Sequence, residues 1–424
     1  MTTDLPPGWT WATLGEVGRY LNGRAFKATD WKEQGRPIIR IQNLTGSSRH
    51  HNHYQGEVED RHLVREGDLL LSWAATLGVF VWRGEEAVLN QHIFKVESWI
   101  SKSFHRWLLQ FVLDDLYRQA HGSGMVHITK RKFDTTSVPI PPLSEQERIV
   151  AAIEEHFSRL DAVDASLNAA ETRCQALIRS VIVGSIPTAL PDDWQLKTVA
   201  EAGATGLGRQ RSPKYHSGTN MKPYLRVANV FEDRIDTSSI MEMHFEEADF
   251  EKYRLRHGDI LLNEGQSPEL LGRPAIYRGE PPGVAFTNSL IRFVPGPEVT
   301  PEWALLVFRR HMHARRFMRE SRITTNIAHL ALGRFRTVEF PIPPLDTQHE
   351  LVASTRAALS SIDQMIIQIQ SARAKVNGIR RAVLAAAFSG QLVPQDPNDE
   401  PASVLLEGIA ASRTARPRRQ RVTA

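Results

Sequence analysis

Val138-Pro139-Ile140-Pro141-Pro142-Leu143-Ser144-Glu145-Gln146 is answered 202 positions later by Phe340-Pro341-Ile342-Pro343-Pro344-Leu345-Asp346-Thr347-Gln348. After each of these segments the pattern of the chain changes. Proline cannot continue an interior helix, but it sits well just ahead of one. Ser144, with Glu147 three residues on, has the form of a capping box. Downstream, apolar or small residues recur at Ile153, Leu160, Leu167, Cys174 and Val181, with a companion series Val163, Ala170 and Leu177. After the second segment the series are Ile362, Ile369, Val376 and Val383, with Met365, Ala372, Ile379 and Ala386. Steps alternating between three and four, sustained this long, argue for a coiled coil. Each helix is expected to run about 35–40 residues, roughly 55 Å at 1.5 Å per residue. Gly184 and Gly390 are the expected C-terminal caps.

Further matches keep the same order toward the N-terminus. Trp9 pairs with Trp194, and Ile39-Arg40-Ile41-Gln42-Asn43 with Leu225-Arg226-Val227-Ala228-Asn229. Arg65-Glu66-Gly67-Asp68-Leu69-Leu70 pairs with Arg256-His257-Gly258-Asp259-Ile260-Leu261, and Leu89-Asn90-Gln91 with Thr287-Asn288-Ser289. Five matches in register point to an internal duplication. Within each copy, short β-rich runs dominate, such as Pro37 to Leu44, Asp68 to Trp73 and Val79 to Trp82. One amphipathic helix closes each copy, Phe104 to Ala120 and Pro301 to Glu320.

The expected fold is α+β. Two repeated mixed α/β globular domains are separated by two long helices packed as an antiparallel coiled coil, a pseudo-twofold dumbbell. The boundaries are 1–143 and 187–345 for the domains, 144–186 and 346–390 for the spacer helices, and 391–424 for a C-terminal motif and Arg-rich tail. The alternative is two independent helices, each packed on its own domain.

Composition narrows the function. The chain has 424 residues with 52 Lys+Arg against 48 Asp+Glu, 41% hydrophobic and 24% charged residues, as globular domains do. One cysteine, Cys174, excludes an intramolecular disulfide and suggests a reduced, cytoplasmic setting. No apolar run approaches the roughly 18–20 residues that span a bilayer, and the N-terminus has no secretory pattern. A pI of about 9.2 permits a polyanionic partner.

The familiar catalytic signatures are missing. There is no GxxxxGK[ST] loop, since Gly-Lys does not occur, and no GxGxxG after a strand. Gly203-Ala204-Thr205-Gly206-Leu207-Gly208 has the wrong spacing for a cofactor loop. There is no Asn/Asp-Pro-Pro-aromatic tetrapeptide, no HExxH and no paired CxxC. Asp30-Trp31-Lys32 has a nuclease-like DxK form without an acidic partner. His50, His51 and His53 could hold a metal but read better as a polar loop. No metal and no catalytic residue is assigned.

Nucleic acid is the partner best suited to the remaining residues. Arg309, Arg310, Arg315, Arg316, Arg319 and Arg322 follow one another on the second amphipathic stretch. Helical spacing there makes neighbours of 309, 316 and 319, and of 315 and 322. Such charge grips phosphates. Arg40, Gln42, Asn43, Trp73, Asn90, Gln91, Asn229 and Asn288 add planar and amide groups of the kind that read base edges. Residues shared by both copies suit a scaffold role. Those that differ are the better reading candidates: Lys27, Arg49, His51, Lys130 and Arg131 in the first copy, and Arg209, Arg211, Lys214, Gln266, Arg273 and Asn326 in the second, with Arg316 and Arg319. Beyond Gly390, Ser403 to Ile409 can form a short helix. Arg413, Arg416, Arg418, Arg419 and Arg421 end the chain.

Phe388-Ser389-Gly390-Gln391-Leu392-Val393-Pro394-Gln395-Asp396-Pro397-Asn398-Asp399-Glu400-Pro401-Ala402-Ser403 completes the pattern. Two variable units, each closed by Pro-Ile-Pro-Pro-Leu and a heptad helix, followed by this motif, resemble the specificity subunit of a type I restriction–modification system. The Arg-rich end lies outside the resemblance. What the resemblance implies is a noncatalytic DNA-binding subunit that reads an asymmetric bipartite target, one domain per half-site. The helices act as a ruler for the unread gap. Two modification subunits would bring S-adenosylmethionine and methylate adenine N6. Two restriction subunits would bring ATP- and Mg-dependent translocation and cleavage, in defence against phage. The competing readings are an enzyme with an atypical site, and a structural adaptor displaying two protein-binding domains on a coiled coil.

Overall fold

A computed structural model describes residues 4–74, 76–120, 130–324 and 327–415. Two compact units emerge, Met1–Ser166 with Ala372–Ala424, and Leu167–Ser371. Each is of mixed α and β structure.

In unit 1 the Pro-rich segment is a strand. Ser137–Ile140 pairs antiparallel with Thr10–Thr13, Pro139 opposite Trp11. Proline is tolerated in a two-stranded ladder with open edges. An antiparallel sheet runs in the order Gly18–Asn22, Ile93–Ser98, Leu69–Ser72, Gly78–Val81. A second sheet sets Arg36–Ile39 parallel to Ala87–Leu89, with His53–Tyr54 and Leu63–Val64 on the flanks. The helix Lys102–Ala120 covers the first sheet with Phe104, Trp107 and Leu108, which join Leu69, Leu71, Phe94 and Val96 in the core. His105 is fully buried on that helix, within 2.8 Å of the Tyr20 hydroxyl and of Ser98 Oγ. Burial lowers its pKa to about 3, so it is neutral.

The first long helix spans Leu143–Gly184, 42 residues, and the second Leu345–Phe388, 44 residues, both longer than the heptad count predicted. The first begins at Leu143, so Ser144 lies inside its first turn rather than at the expected capping box. Gln146 makes the junction instead. Its amide donates to the Pro141 carbonyl at 3.0 Å and its Oε1 accepts the Ser101 N–H at 3.2 Å. Gln348 repeats the device, donating to Pro343 and Glu298 carbonyls and accepting from the Thr300 N–H at 2.9 Å. Buried amides without such partners would be costly, and here none is left over.

Each unit contains a stretch of both long helices. In unit 1 the directions are opposed. Gln395 Nε2 donates to the Gly390 carbonyl, at the end of the second helix, and to Glu145 Oε1, at the start of the first. Arg380, ten residues upstream of Gly390, bonds Asp161 at 2.6 Å and Asp164 at 2.8 Å. In unit 2, Cys174, Ile362 and Ile369 are buried together, with Leu167, Ala170, Ile178 and Val181 against them. Ile153, Leu160, Val376 and Val383 are buried as well. The large residues of the companion series behave otherwise: Val163, Leu177, Met365 and Ile379 are 44–49% exposed, whereas Ala170 packs on the seam. The second row of seam positions lies four residues on instead, Ile178 after Cys174 and Ile366 after Ile362.

The C-terminal motif closes unit 1. Gly390 takes φ +70°, where a Cβ would strike Pro6, and the Gln391 N–H reaches back to the Ala386 carbonyl. Arg148 forks onto Asp399, and the Ala402 N–H bonds the Gly8 carbonyl. The helix that follows, Ala402–Ala415, is longer than the expected Ser403–Ile409 and packs on the short helix Leu14–Val17.

Unit 2 repeats the plan. Gln195–Thr198 pairs with Glu339–Ile342. One sheet runs Gly203–Leu207, Leu290–Pro295, Ile260–Asn263, Pro274–Ile276, and another sets Met221–Leu225 parallel to Ala285–Phe286 beside Met241–His244. It adds a sheet of Gly265–Gln266, Ile327–Leu330 and Ser321–Thr324.

Two local expectations are corrected. Pro37 to Leu44 is not one strand: it stops at Ile39, and Ile41–Leu44 is a helical turn stabilised by Asn43. Pro301 to Glu320 is not one helix. It ends at His313, Arg315 adopts φ +55°, and Arg316–Glu320 is a 3-10 turn. Arg309 therefore lies on a different element from Arg316 and Arg319, and the three are not neighbours on one helix as their spacing suggested.

Candidate nucleic-acid interface

Strand ends gather at one rim of each unit. In unit 1, strands Gly18–Asn22, Arg36–Ile39, Leu69–Ser72 and Ala87–Leu89 end there, and Gly78–Val81 and Ile93–Ser98 begin there. Backbone hydrogen bonds tie the loops together: Gly23 N–H to the Ile93 carbonyl, Arg24 N–H to Leu89, Asn90 N–H to Ile39, and Trp73 N–H to His92. Unit 2 uses the same ties. Arg209 N–H bonds the Phe286 carbonyl, Thr287 N–H bonds Leu225, and Glu264 N–H bonds Ser289.

These ties set the true register of the duplication. Asn90 stands where Thr287 does, so the Asn90/Asn288 match of the sequences is out by one residue. Arg24 and Arg209 are counterparts, each behind a glycine. A Cβ on Gly23 would lie 2.2 Å from the Asn90 carbonyl oxygen, and one on Gly208 2.3 Å from that of Phe286. Both arginines are engaged in the scaffold. Arg24 donates to the Tyr54 hydroxyl and lies over Phe26 and Tyr54. Arg209 donates to the His244 carbonyl, pairs with Asp249, and lies 3.9 Å over Tyr215. Arg209 is thus a shared, buried residue, not one that distinguishes the copies.

The other candidates divide by position. Lys27, Arg49 and His51 belong to the rim loops of unit 1, with Lys27 and Arg49 exposed. Asp30, suspected of a DxK motif, accepts the Lys27 N–H, and Trp31 carries Arg40 over its ring at 4.4 Å. That stacked pair was not picked out from the sequence, because nothing in the spacing joins residues nine apart in a loop. Lys130 pairs with Asp134 and, with Arg19, Trp99 and Arg413, borders a cavity of about 820 Å³ beside the C-terminal helix. Arg131 is exposed on the same short helix.

In unit 2, Arg211 and Lys214 lie on the rim, exposed. Lys214, then Arg209, lowers the Tyr215 phenol below its ordinary pKa. Gln266 caps the Ser267 N–H, and Arg273 is half-buried over Phe231, where burial lowers its pKa. Arg316 is held by Glu320 and by a forked contact to Glu339, so its charge is taken up internally. Arg309 likewise pairs with Glu232 at 2.6 Å. Arg319 is exposed. Asn326 lies outside the described residues. Among the described residues, no group of three or more His, Cys, Asp or Glu is placed to hold a metal ion, and no helix is long and apolar enough to cross a membrane.

A duplicated unit with a polar loop rim, joined through paired heptad helices, has close parallels. Residues 6–172 match the family described as type I restriction modification DNA specificity domain. The chain is 23% identical to the EcoBI specificity subunit of Escherichia coli, over 97% of this chain and 94% of the relative. The chain carries a type I specificity domain over residues 6–172 and is similar to type I specificity subunits along nearly its whole length. The EcoKI specificity subunit of E. coli strain K12 is 22% identical over 97% of each chain. A solved structure concerned with complex assembly and conformational transition of the type I R-M system shares the fold, with a TM-score of 0.66 and 18% identity over 92% of this chain and 100% of that one. Specificity subunits are the noncatalytic DNA-recognition component of such systems.

Proposed function

We propose that this chain reads an asymmetric, two-part duplex target, each rim contacting one half-site and the helical pair fixing the unread gap. The observation that carries the reading is the duplicated rim: the same strand ends and backbone ties recur in both units, while most of the exposed side chains differ. A repeated frame with different side chains suits two different half-sites. The chain itself is noncatalytic. It directs two modification subunits, which use S-adenosylmethionine to methylate adenine N6, and two restriction subunits, which use ATP and Mg for translocation and cleavage. The setting is the cytoplasm, where genomic DNA is accessible.

The test is single-molecule sequencing of N6-methyladenine in the host genome, with and without the gene. Loss of one split, asymmetric motif on deletion is the expected result. A motif that is palindromic or continuous, or none that depends on the gene, overturns the reading.

A further inference from the structure

In both units the strand that reaches the rim passes into the same turn, Arg40-Ile41-Gln42-Asn43 and Arg226-Val227-Ala228-Asn229. Asn43 Oδ1 accepts the Arg40 N–H at 3.0 Å, and its amide donates to the carbonyls of Ser48 and His50. Asn229 Oδ1 accepts the Arg226 N–H at 3.1 Å, and its amide donates to the carbonyls of Asp236 and Ser239. The turn accounts for both asparagines and for the arginine main chains. It makes no use of either guanidinium.

The other shared arginines, Arg24 and Arg209, have acceptors and aromatic cages. Arg40 and Arg226 do not. The Arg40 guanidinium lies over the Trp31 ring, itself 39% exposed, with no hydrogen-bond or ion-pair partner among the described residues. Arg226 Nε is buried and likewise has none. A guanidinium carries five donors and no acceptor, and burying any of them unmatched is unfavourable. Both residues are partly exposed at the rim.

We propose that Arg40 and Arg226 are duplicated contacts to the DNA phosphate backbone, one per half-site, which seat the duplex in the same register on both units. The proposal rests on the DNA-recognition reading above. The two half-sites differ in bases and share only the sugar–phosphate backbone, so a residue shared by both rims fits the shared part of the target. Phosphate oxygens match the fork of a guanidinium. The asparagine turn fixes the arginine backbone, and Trp31 packs against the Arg40 guanidinium before binding.

The full chain is titrated by fluorescence anisotropy with a duplex bearing the methylated motif and with a scrambled duplex, across a range of salt. Arg40→Ala and Arg226→Ala should each weaken both duplexes by the same factor, about tenfold, and lower the slope of log K against log salt by about 1. The double variant should lower it by about 2, and Arg→Lys at each site should restore it. Unchanged affinity and slope in variants with the wild-type unfolding temperature overturns the proposal alone. So does a loss confined to the motif duplex with altered base preference at one half-site, which marks a base contact. A wild-type chain that binds neither duplex overturns the DNA-recognition reading and this proposal with it.

Discussion

Single buried polar groups decide how each unit is joined to its helix. Gln348 is fully buried and uses both ends of its amide. Gln348→Leu removes three partners' bonds at once and should destabilise unit 2 by about 2–3 kcal/mol, each orphaned backbone group contributing, as measured by urea unfolding. His105 gives a pH signature. Its folded pKa of about 3 lies below the ordinary value of 6.5, so the unfolded chain binds the extra proton between those limits. Its contribution is fully present above pH 6.5 and is lost as pH falls toward 3, at up to about 1.4 kcal/mol per pH unit. His105→Gln, which can still bond Tyr20 and Ser98, should flatten the acid limb of the stability curve by that amount. An unaltered slope would show that His105 takes up its proton as readily in the fold as in the unfolded chain. The sequence marked Gln146 and Gln348 by position after Pro-Pro-Leu but gave no hint of their role. The partners of each amide come from residues distant in the chain or from the proline carbonyls.

At the scale of elements, heptad arithmetic distinguished helix from strand correctly and overestimated the seam. Ile362 and Ile379 look equivalent in a table of apolar positions, yet one is buried and the other about half exposed. Ile362→Ala should cost about 2–4 kcal/mol, and Ile379→Ala less than about 1 kcal/mol, as thermal or urea unfolding can resolve. Equal losses would contradict the seam. The Arg-rich stretch after Pro301 failed for a different reason. A helix prediction rests on spacing, and the stretch holds no proline or glycine to announce the break at Arg315. The partners that neutralise Arg316 and Arg309 come from other elements, Glu339 and Glu232. The rim was invisible as a place. Its loops are far apart in sequence and are gathered only by strand pairing, although several of its residues had been singled out by type.

For the molecule as a whole, the ruler reading makes a metric claim. One heptad added to both long helices lengthens the pair by about 10 Å at 1.5 Å per residue, the rise of about three base pairs. Three base pairs also turn the duplex by about 100° at roughly 10.5 per turn. Methylation should therefore fall in extent and move to a longer gap, with both half-sites keeping their bases. Altered half-sites in the methylome of that variant would contradict the ruler.

The order in which the chain is made gives the C-terminal motif another meaning. Unit 2 is one continuous span, Leu167–Ser371, whereas unit 1 needs Ala372–Ala424 to be whole. The ribosome delivers the first 166 residues early, but Val383, Leu384, Ala387 and Phe388 belong to their core and Arg148 waits for Asp399. At about 5–20 residues per second, unit 2 is synthesised in full while its neighbour is still missing part of its interior. The half of the protein that is translated first is the half that matures last, and a chain abandoned before Ala372 would carry one finished unit and one that cannot close.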